Sequence, residues 1–328
     1  MIEDVTHMED HAQTFETPLG DLAKGPWVTR IAEIANEHGY FKALGRKHFA
    51  AFVQKSDTLL VTFETVQGIR GLRENALPLG WDMVASMGWS HLCLVSDGDT
   101  WFRDGKVYGH FDALIDDGFF DDFSQVIFYG AGPCGYAASA FSVAAPGARV
   151  VAIQPQATLD PRVTEWDDRF TDHRRVSFTN RYGYAPDMLD AADAAFVFYD
   201  SNDPLDAMHA ALFTRPNVSK FRMRFMGAAL QSQMMDMNIL FQVISKANAG
   251  KLDTESFAKM YRARRDNRGY LRTLMAVTDR DERFALTRMI CKNVTSRTKA
   301  PRFARRLAEL DAPQNNAHDD AAGTSPQA

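Results

Sequence analysis

The chain has 328 residues, of which 45% are hydrophobic and 24% charged, with a net charge of −5. This composition is typical of a globular protein that buries a sizeable core and can hold more than one structural unit. No apolar run approaches the roughly 20 residues of a transmembrane helix, and the acidic, His-containing first residues are unlike a signal peptide. We therefore expect neither a membrane anchor nor a leader.

The charges are distributed unevenly along the chain. Residues 246–310 hold 17 Lys and Arg against 7 Asp and Glu, whereas residues 1–245 hold 20 against 32. A basic segment can bind nucleic acid, a phospholipid surface or an acidic protein surface. Because its basic residues are interspersed with apolar ones and no nucleic-acid-binding motif occurs, we expect amphipathic helices docked on an acidic domain. Nucleic acid is not expected as a partner, and the sequence names neither a partner nor an oligomeric state.

Three cysteines occur, and they are far apart: Cys93, Cys134 and Cys291. They lack the Cys-x-x-Cys or Cys/His spacing of a metal site. An odd number of unclustered cysteines favours a reducing, cytoplasmic location. The sequence predicts neither a metal site nor a cofactor.

The first half of the chain alternates helical and extended patterns. Residues 1 to about 20 are polar and predicted to be weakly ordered. Apolar residues then recur at helical spacing from Trp27 to Ala35, and His38-Gly39 ends that helix. The next predicted elements are strands at 50–54, 59–63 and 91–95 and a helix at 81–87.

The centre of the chain repeats this alternation. Continuous apolar runs predict buried strands at 126–129, 148–153 and 194–199, and small residues predict a helix at 136–145. Strands separated by helices are typical of an α/β fold with a mostly parallel, doubly covered sheet. The long segment between the last two strands is predicted to cap the carboxyl edge, where such sheets bind ligands.

Beyond Gln231 only helical patterns occur. The predicted helices span 234–247, 254–265, 270–277 and 282–294. The whole chain is thus divided into an N-terminal segment with a helix, an α/β domain, a basic α-helical region and a disordered tail. Their predicted bounds are 1–44, 45–232, 233–310 and 311–328.

The stretch from Val126 to Ala138 has the outline of a nucleophile elbow without its serine. In an α/β-hydrolase the nucleophile follows a central strand in a Gly-x-Ser-x-Gly motif, whose small residues let the chain turn sharply into a helix. Here Gly130 follows the strand, and Gly132 stands where the motif has serine.

This stretch resembles bacterial α/β-hydrolase-like proteins in which Gly-x-Ser-x-Gly-Gly-Tyr-Ala-Ala follows a strand, some of them from cell-surface polysaccharide pathways. On that register Gly130, Gly135 and Tyr136 match the family and are predicted to be binding residues of its pocket, Gly132 replaces the serine, and Cys134 replaces the second glycine. The resemblance implies an α/β-hydrolase-like fold.

The resemblance covers roughly residues 50–230. The family has a Pro-Gln segment followed by an acidic, aromatic stretch with an Arg, and this chain has a similar segment. The resemblance implies a pocket formed by these residues: Gln154, Gln156, Trp166 and Arg169. The family's acid loop corresponds to Asp200 or Asp203, and its Gly-His pair corresponds to Gly227-Ala228. Because a glycine and an alanine supply neither nucleophile nor base, the resemblance implies a site without Ser-His-Asp chemistry.

Cys134 is a candidate replacement nucleophile. A thiolate is favoured at a helix N-terminus by the macrodipole, and Cys134 lies where the predicted turn becomes helix. It would need a histidine from elsewhere, and His209, His110 and His173 are the candidates. The alternative is a small buried cysteine that fills the turn.

Two further motifs are incomplete. Gly130, Gly132 and Gly135 match the dinucleotide-binding pattern Gly-x-Gly-x-x-Gly, but Gln154 replaces its acidic partner. Chains that look like this one tend to be labelled phosphoadenosine phosphosulfate reductase, and Cys134-Gly135 is similar to that family's Cys-Gly. The family's Ser-Gly-Gly-x-Asp-Ser loop and Glu-Cys-Gly-Leu-His ending do not occur in this sequence.

The sequence therefore predicts a catalytically degenerate α/β-hydrolase-like protein with a binding or regulatory role. Its expected ligand is a glycan precursor, an acidic metabolite or a protein partner. A Cys134-dependent hydrolase or acyltransferase is the alternative, and the sulfonucleotide reductase is a third hypothesis.

Overall fold

The computed structural model describes residues 15–173 and 175–312, which fall into two compact units divided after Asn267. Most of the first 20 residues, expected to be weakly ordered, and most of the tail predicted from residue 311 lie outside the described residues; Phe15 and Leu19 are buried, and Asp311 ends a helix. The predicted domain bounds stay a prediction.

The first unit is built on one eight-stranded sheet with the spatial order β1-β2-β4-β3-β5-β6-β7-β8. The strands are β1 (Gly39–Leu44), β2 (His48–Val53), β3 (Thr58–Thr65), β4 (Ser90–Ser96), β5 (Gln125–Ala131), β6 (Arg149–Ile153), β7 (Ala194–Tyr199) and β8 (Val218–Arg222). Strand β2 runs antiparallel to β1 and β4, and the remaining neighbours pair in parallel. The predicted fold class, an α/β-hydrolase-like fold with a mostly parallel sheet, is confirmed.

Helices connect the strands and cover the sheet. In the first unit they are α1 (Lys24–His38), α2 (Val66–Leu72), α3 (Trp81–Met87), α4 (Gly105–Asp116), α5 (Pro133–Phe141), α6 (Pro161–Thr164), α7 (Pro204–Leu212), α8 (Leu230–Asp236), α9 (Leu240–Asn248) and α10 (Thr254–Met260). Helix α5 packs on β3, β5 and β6, while α9 packs on β5 and β6 and α1 on β1 and β2.

Alternation along the strands separates two cores. On β4, Leu92 and Leu94 belong to the cluster beneath α5, whereas Cys93 and Val95 belong to the cluster beneath α1. Successive side chains of a strand point to opposite faces, so a continuously apolar strand has apolar contacts on both. This explains why the central strands read as unbroken apolar runs.

Some elements differ from the sequence prediction. Helix α5 begins at Pro133 rather than Tyr136, because proline at the first helical position has the required φ and needs no hydrogen-bond acceptor. The helix predicted at 234–247 is divided into α8 and α9 by a turn in which Asn238 has a φ of 59°. Strand β1 and helix α4 were not predicted.

The second unit contains α11 (Arg268–Arg280), α12 (Phe284–Arg297) and α13 (Pro301–Asp311). Its small core consists of Met275, Cys291, Val294 and Phe303. The C-terminal helical region expected from the sequence is present. Within the described residues, no helix is long and apolar enough to cross a membrane.

Candidate ligand pocket at the nucleophile elbow

Gly132 forms a sharp turn between β5 and α5. Its φ of 57° and ψ of −126° lie in a region that favours glycine, and its N–H donates to the Ile153 carbonyl oxygen at 2.8 Å. A strained strand-to-helix turn of this kind is the geometry that exposes the nucleophile of an α/β-hydrolase. A Cβ built on Gly132 meets no atom within 4 Å, so the space that a nucleophile would occupy is open.

The two flanking glycines make the turn possible. A Cβ on Gly130 would lie 2.1 Å from the Cys134 carbonyl oxygen, and one on Gly135 would lie 3.0 Å from the Ile153 carbonyl oxygen. The backbone at Gly130 therefore approaches its neighbour more closely than a side chain allows, and the contact at Gly135 is tighter than most side chains accept. The structure places these two predicted binding residues beneath the turn.

A pocket of about 330 Å³ opens above Gly132. Its lining includes Gly132 and Ala228, the positions that the family resemblance matched to the serine and the histidine. These two positions are 96 residues apart in the sequence and meet at one cavity. Neither carries a side-chain atom that could attack a carbonyl or accept a proton.

A proline follows Gly132 in the turn. In α/β-hydrolases one of its two donors is the backbone N–H of the residue after the nucleophile. Here that residue is Pro133, which has no N–H. The proline at position 133 is visible in the sequence, but the missing N–H donor was not predicted from it.

The two candidate acids bind backbone N–H groups. Asp200 is buried and accepts hydrogen bonds from the backbone of Asn202, Phe225 and Gly227 at 2.8, 3.1 and 2.8 Å. It thus holds the loop that carries Ala228. Asp203 caps α7 by accepting from the backbone N–H of Leu205 and Asp206.

His209 has a partner on each ring nitrogen. The Ala157 N–H donates to Nδ1 at 3.1 Å, so Nδ1 carries the lone pair and Nε2–H donates to Asp167 at 2.9 Å. The imidazole is fully buried, and burial lowers its pKa despite the hydrogen bond to Asp167. Trp166 packs against it, with ring centroids 4.7 Å apart. Because both nitrogens are occupied, His209 has none left to activate Cys134.

The other two candidate histidines, His173 and His110, lie in different environments. His173 Nε2 lies 3.0 Å from the Asp99 carbonyl oxygen. His110 is buried in α4 with no hydrogen-bond partner on either ring nitrogen, next to the ring of Tyr40. Burial lowers the pKa of His110 to about 4, so this imidazole is neutral near pH 7.

Arg169 lies between two buried carboxylates at the pocket wall. Its guanidinium donates to Asp167 at 2.9 Å and to Asp206 at 2.7 Å. Burial opposes the charged form, but these two hydrogen bonds raise the pKa of Arg169 overall. The two carboxylates and the one guanidinium have a net charge of −1, to which the neutral imidazole of His209 adds nothing. We call Asp167, Arg169, Asp206 and His209 the charged network.

Two glutamines connect the network to the pocket. Gln154 has a φ of 47°, donates to Asp206 at 2.6 Å and accepts from the Leu230 N–H at 3.1 Å. Gln156 is 3% exposed and donates to the Gln154 carbonyl oxygen at 3.2 Å, but its Oε1 has no partner. This oxygen is fully buried, so Gln156 contributes other atoms of its side chain to the pocket wall.

A second cavity, of about 220 Å³, adjoins the first and shares Ala131, Pro133 and Gln231 with it. Cys134 lies in its wall, and burial raises the pKa of the thiol, which disfavours the thiolate. The buried Tyr129 hydroxyl also lines this cavity and has no hydrogen-bond partner. Within the described residues, neither cavity has a histidine in its lining.

Tyr136, another predicted binding residue, lies outside both linings. Its ring is fully buried, its hydroxyl donates to the Tyr182 carbonyl oxygen, and it accepts from Arg103 at 3.1 Å. These contacts tie α5 to the segment that caps the sheet. The structure thus brings together Gly132, Gln154, Gln156, Arg169 and Ala228, but not Tyr136 or Trp166.

No protein-family model matches this chain, and no curated protein matches its sequence. Among solved structures it is similar to the capsule O-acetyltransferase of Neisseria meningitidis serogroup A, at 10% identity and a TM-score of 0.39, covering 60% of this chain and 91% of that one. It is also similar to an esterase of Pyrobaculum calidifontis, at 12% identity and a TM-score of 0.40, covering 74% and 97%. A third is a fluorophosphonate-binding serine hydrolase of Staphylococcus aureus, at 10% identity and a TM-score of 0.39, covering 59% and 91%. These neighbours are of α/β-hydrolase type, and a likeness of this size says nothing about activity.

Proposed function

We propose that this chain is a catalytically degenerate α/β-hydrolase-like protein that uses the pocket above Gly132 to bind a small polar molecule. The observation that carries the proposal is that Gly132 and Ala228 line one pocket and that neither has a reactive side chain. The proline after Gly132 supports it, because one oxyanion donor is absent as well.

The charges of the pocket wall narrow the ligand class. Arg169 is bound by Asp167 and Asp206, so it has no unmatched charge for an anion. Gln154 and Gln156 add neutral polar side chains to the pocket lining. Amide groups form hydrogen bonds with hydroxyls, so of the ligands predicted from the sequence a hydroxyl-rich glycan precursor fits this wall better than an acidic metabolite.

A thermal-shift screen tests the binding role. The probes are neutral sugars, sugar nucleotides and carboxylic acid metabolites at millimolar concentration. We expect neutral sugars to raise the Tm of the wild type, because a ligand that binds only the folded state stabilises it. Ala228→Trp fills the pocket and should abolish the shift, whereas Ala211→Trp, on the exposed side of α7, should keep it.

Two results would contradict the binding proposal. One is the absence of a shift with every probe, and the other is an equal shift in both tryptophan variants. Hydrolysis of p-nitrophenyl esters by the wild type, lost on substitution of a pocket residue, would instead show an active enzyme.

The alternative, an enzyme that uses Cys134, depends on the thiol's position in the cavity next to Gly132. Its test is labelling of the folded protein with iodoacetamide, read by mass spectrometry. We expect Cys134 to stay unlabelled because it is 7% exposed and its pKa is raised by burial. Rapid labelling near pH 7, together with ester hydrolysis lost in Cys134→Ser, would favour the enzyme. Neither cavity offers a feature that favours sulfonucleotide reduction.

A further inference from the structure

Four polar side chains share one face of two neighbouring strands in the core. Thr62 and Glu64 alternate on β3, and His91 and Cys93 alternate on β4, with Thr62 directly opposite Cys93 in the parallel register. All four are buried. Polar groups at the centre of a sheet cost free energy unless each is satisfied, so this cluster requires an explanation.

The hydrogen bonds of the cluster indicate which of its atoms carry protons. The Thr62 hydroxyl donates to Glu64 Oε1 at 2.8 Å, and the Leu79 N–H donates to both carboxylate oxygens at 3.1 Å. Because the Thr62 hydrogen is used in this way, His91 Nε2–H donates to the Thr62 oxygen at 2.8 Å. The lone pair of His91 therefore lies on Nδ1, which is buried and has no partner.

The cluster has the dimensions of a metal site. One ligand atom each from Glu64, His91 and Cys93 lie within 4.8 Å of one another, and Cys93 Sγ is 3.4 Å from Glu64 Oε1. Zinc binds sulfur at about 2.3 Å and carboxylate oxygen at about 2.0–2.2 Å, so two such ligands at a tetrahedral ion are separated by a similar distance. Within the described residues, no basic side chain forms an ion pair with Glu64; the nearby Arg73 pairs with Asp82.

We propose that Glu64, His91 and Cys93 bind a Zn²⁺ ion. Imidazole, carboxylate and thiolate are all zinc ligands, and the thiolate selects zinc over magnesium or calcium. On binding, the Cys93 S–H bond breaks, its proton leaves to solvent, and the sulfur lone pair forms the bond to zinc. The Leu79 N–H then orients the carboxylate from outside the coordination sphere.

Glu64 also lines the cavity of about 220 Å³ that has Cys134 in its wall, whereas His91 and Cys93 lie outside its lining. The proposed site is therefore reached from this cavity only on the Glu64 side. The site is separate from the pocket above Gly132, so the zinc proposal and the binding proposal can fail independently.

Cobalt substitution tests the site. The full-length protein is treated with a chelator, dialysed and titrated with Co²⁺, and a thiolate-to-cobalt charge-transfer band in the near ultraviolet reports a cysteine ligand. We expect one ion per chain, displaced by Zn²⁺. Cys93→Ser should lose the band, whereas Cys291→Ser, which removes a buried cysteine of the second unit, should keep it.

A second variant guards against a folding defect. Glu64→Gln keeps the side-chain volume and an acceptor for the Leu79 N–H, yet removes the charged ligand. We expect it to fold by circular dichroism and to bind Zn²⁺ about 100-fold more weakly in competition with a chromophoric chelator. A wild type without the cobalt band overturns the proposal, and so does a band that survives Cys93→Ser or disappears in Cys291→Ser.

Discussion

The pocket above Gly132 and the charged network beside it differ in how their polar groups are used. In the pocket, the two positions matched to the nucleophile and the base carry no reactive atom. In the network, two carboxylates, a guanidinium and an imidazole are present, but they bind one another or the backbone. Ionisable residues at the carboxyl edge of a sheet are therefore not sufficient for a catalytic site, because at least one of them needs an atom that is free to contact the substrate.

Breaking the charged network should have the largest effect on stability. Asp167→Ala removes the acceptor of the fully buried His209 and one of the two carboxylates that bind Arg169, whose charge Asp206 still balances. We expect the free energy of unfolding to fall by about 3–5 kcal/mol in urea denaturation, since two hydrogen bonds to charged groups, each contributing about 1.5–3 kcal/mol, are lost.

Asp168→Ala is the matched control, because this neighbouring carboxylate is exposed. Its expected change is within about 0.5 kcal/mol. Equal losses in the two variants would show that the network contributes no more than a surface charge does.

Alanine substitutions at the elbow should lower the free energy of unfolding by smaller amounts. They distinguish a steric clash at Gly130 from backbone strain at Gly132. In Gly130→Ala the new Cβ meets the Cys134 carbonyl oxygen, and a loss of about 3 kcal/mol is expected for overpacking of this severity. In Gly132→Ala the Cβ has space but φ is positive, so we expect a loss of about 1 kcal/mol. Chemical denaturation of both variants measures the difference, and the opposite order would mean that the turn relaxes around Gly130.

His110 sharpens the contrast with His209, because its imidazole is buried without any partner. Its pKa is about 4 in the folded protein, below the ordinary value of 6.5, so the unfolded chain takes up a proton first as the pH falls. The contribution of His110 to the free energy of unfolding is therefore fully present above about pH 6.5 and is lost progressively between about pH 6.5 and 4.

The wild type should thus lose about 1–2 kcal/mol from His110 between pH 7 and pH 5. In His110→Phe this part of the pH dependence should vanish, as measured by urea denaturation at both pH values. An unchanged pH dependence in the variant would place the titration elsewhere.

Restoring the two missing residues should have the smallest effect, namely none on activity. The double variant Gly132→Ser with Ala228→His regains a hydroxyl and an imidazole, but Pro133 still lacks the N–H that stabilises the oxyanion. We expect p-nitrophenyl acetate hydrolysis at the wild-type background. Adding Pro133→Met should raise the rate above that of the double variant, and no difference between the two would show that the pocket lacks more than these three groups.

Much of the sheet could be predicted from the sequence, because central strands are covered on both faces. The strand at Ala194–Tyr199 and the helix at Trp81–Met87 have the predicted bounds. The edge strand β1 was missed because it has exposed positions and a basic residue, Lys42. Its strand character depends on pairing with a neighbour, which no local pattern records.

The candidate site was predictable where a motif is continuous in the chain. The turn at Gly132 is such a case, and the alanine at 228 followed from the family resemblance. The contribution of Asp206 and His209 to the charged network and the cluster of Glu64, His91 and Cys93 were not predicted. Their members are spread over separate strands, helices and loops, and spacing rules for ligands along one segment do not detect them.

The sequence by itself determined the alternation of strands and helices, the glycine turn and the absence of a serine from it. These are properties of short segments, set by side-chain size and backbone freedom. Only the tertiary structure decided that Gly132 and Ala228 share one pocket, that His209 is saturated, and that three ligand-type side chains meet between β3 and β4. The reason is physical: parallel register and packing bring residues together irrespective of their separation in the chain.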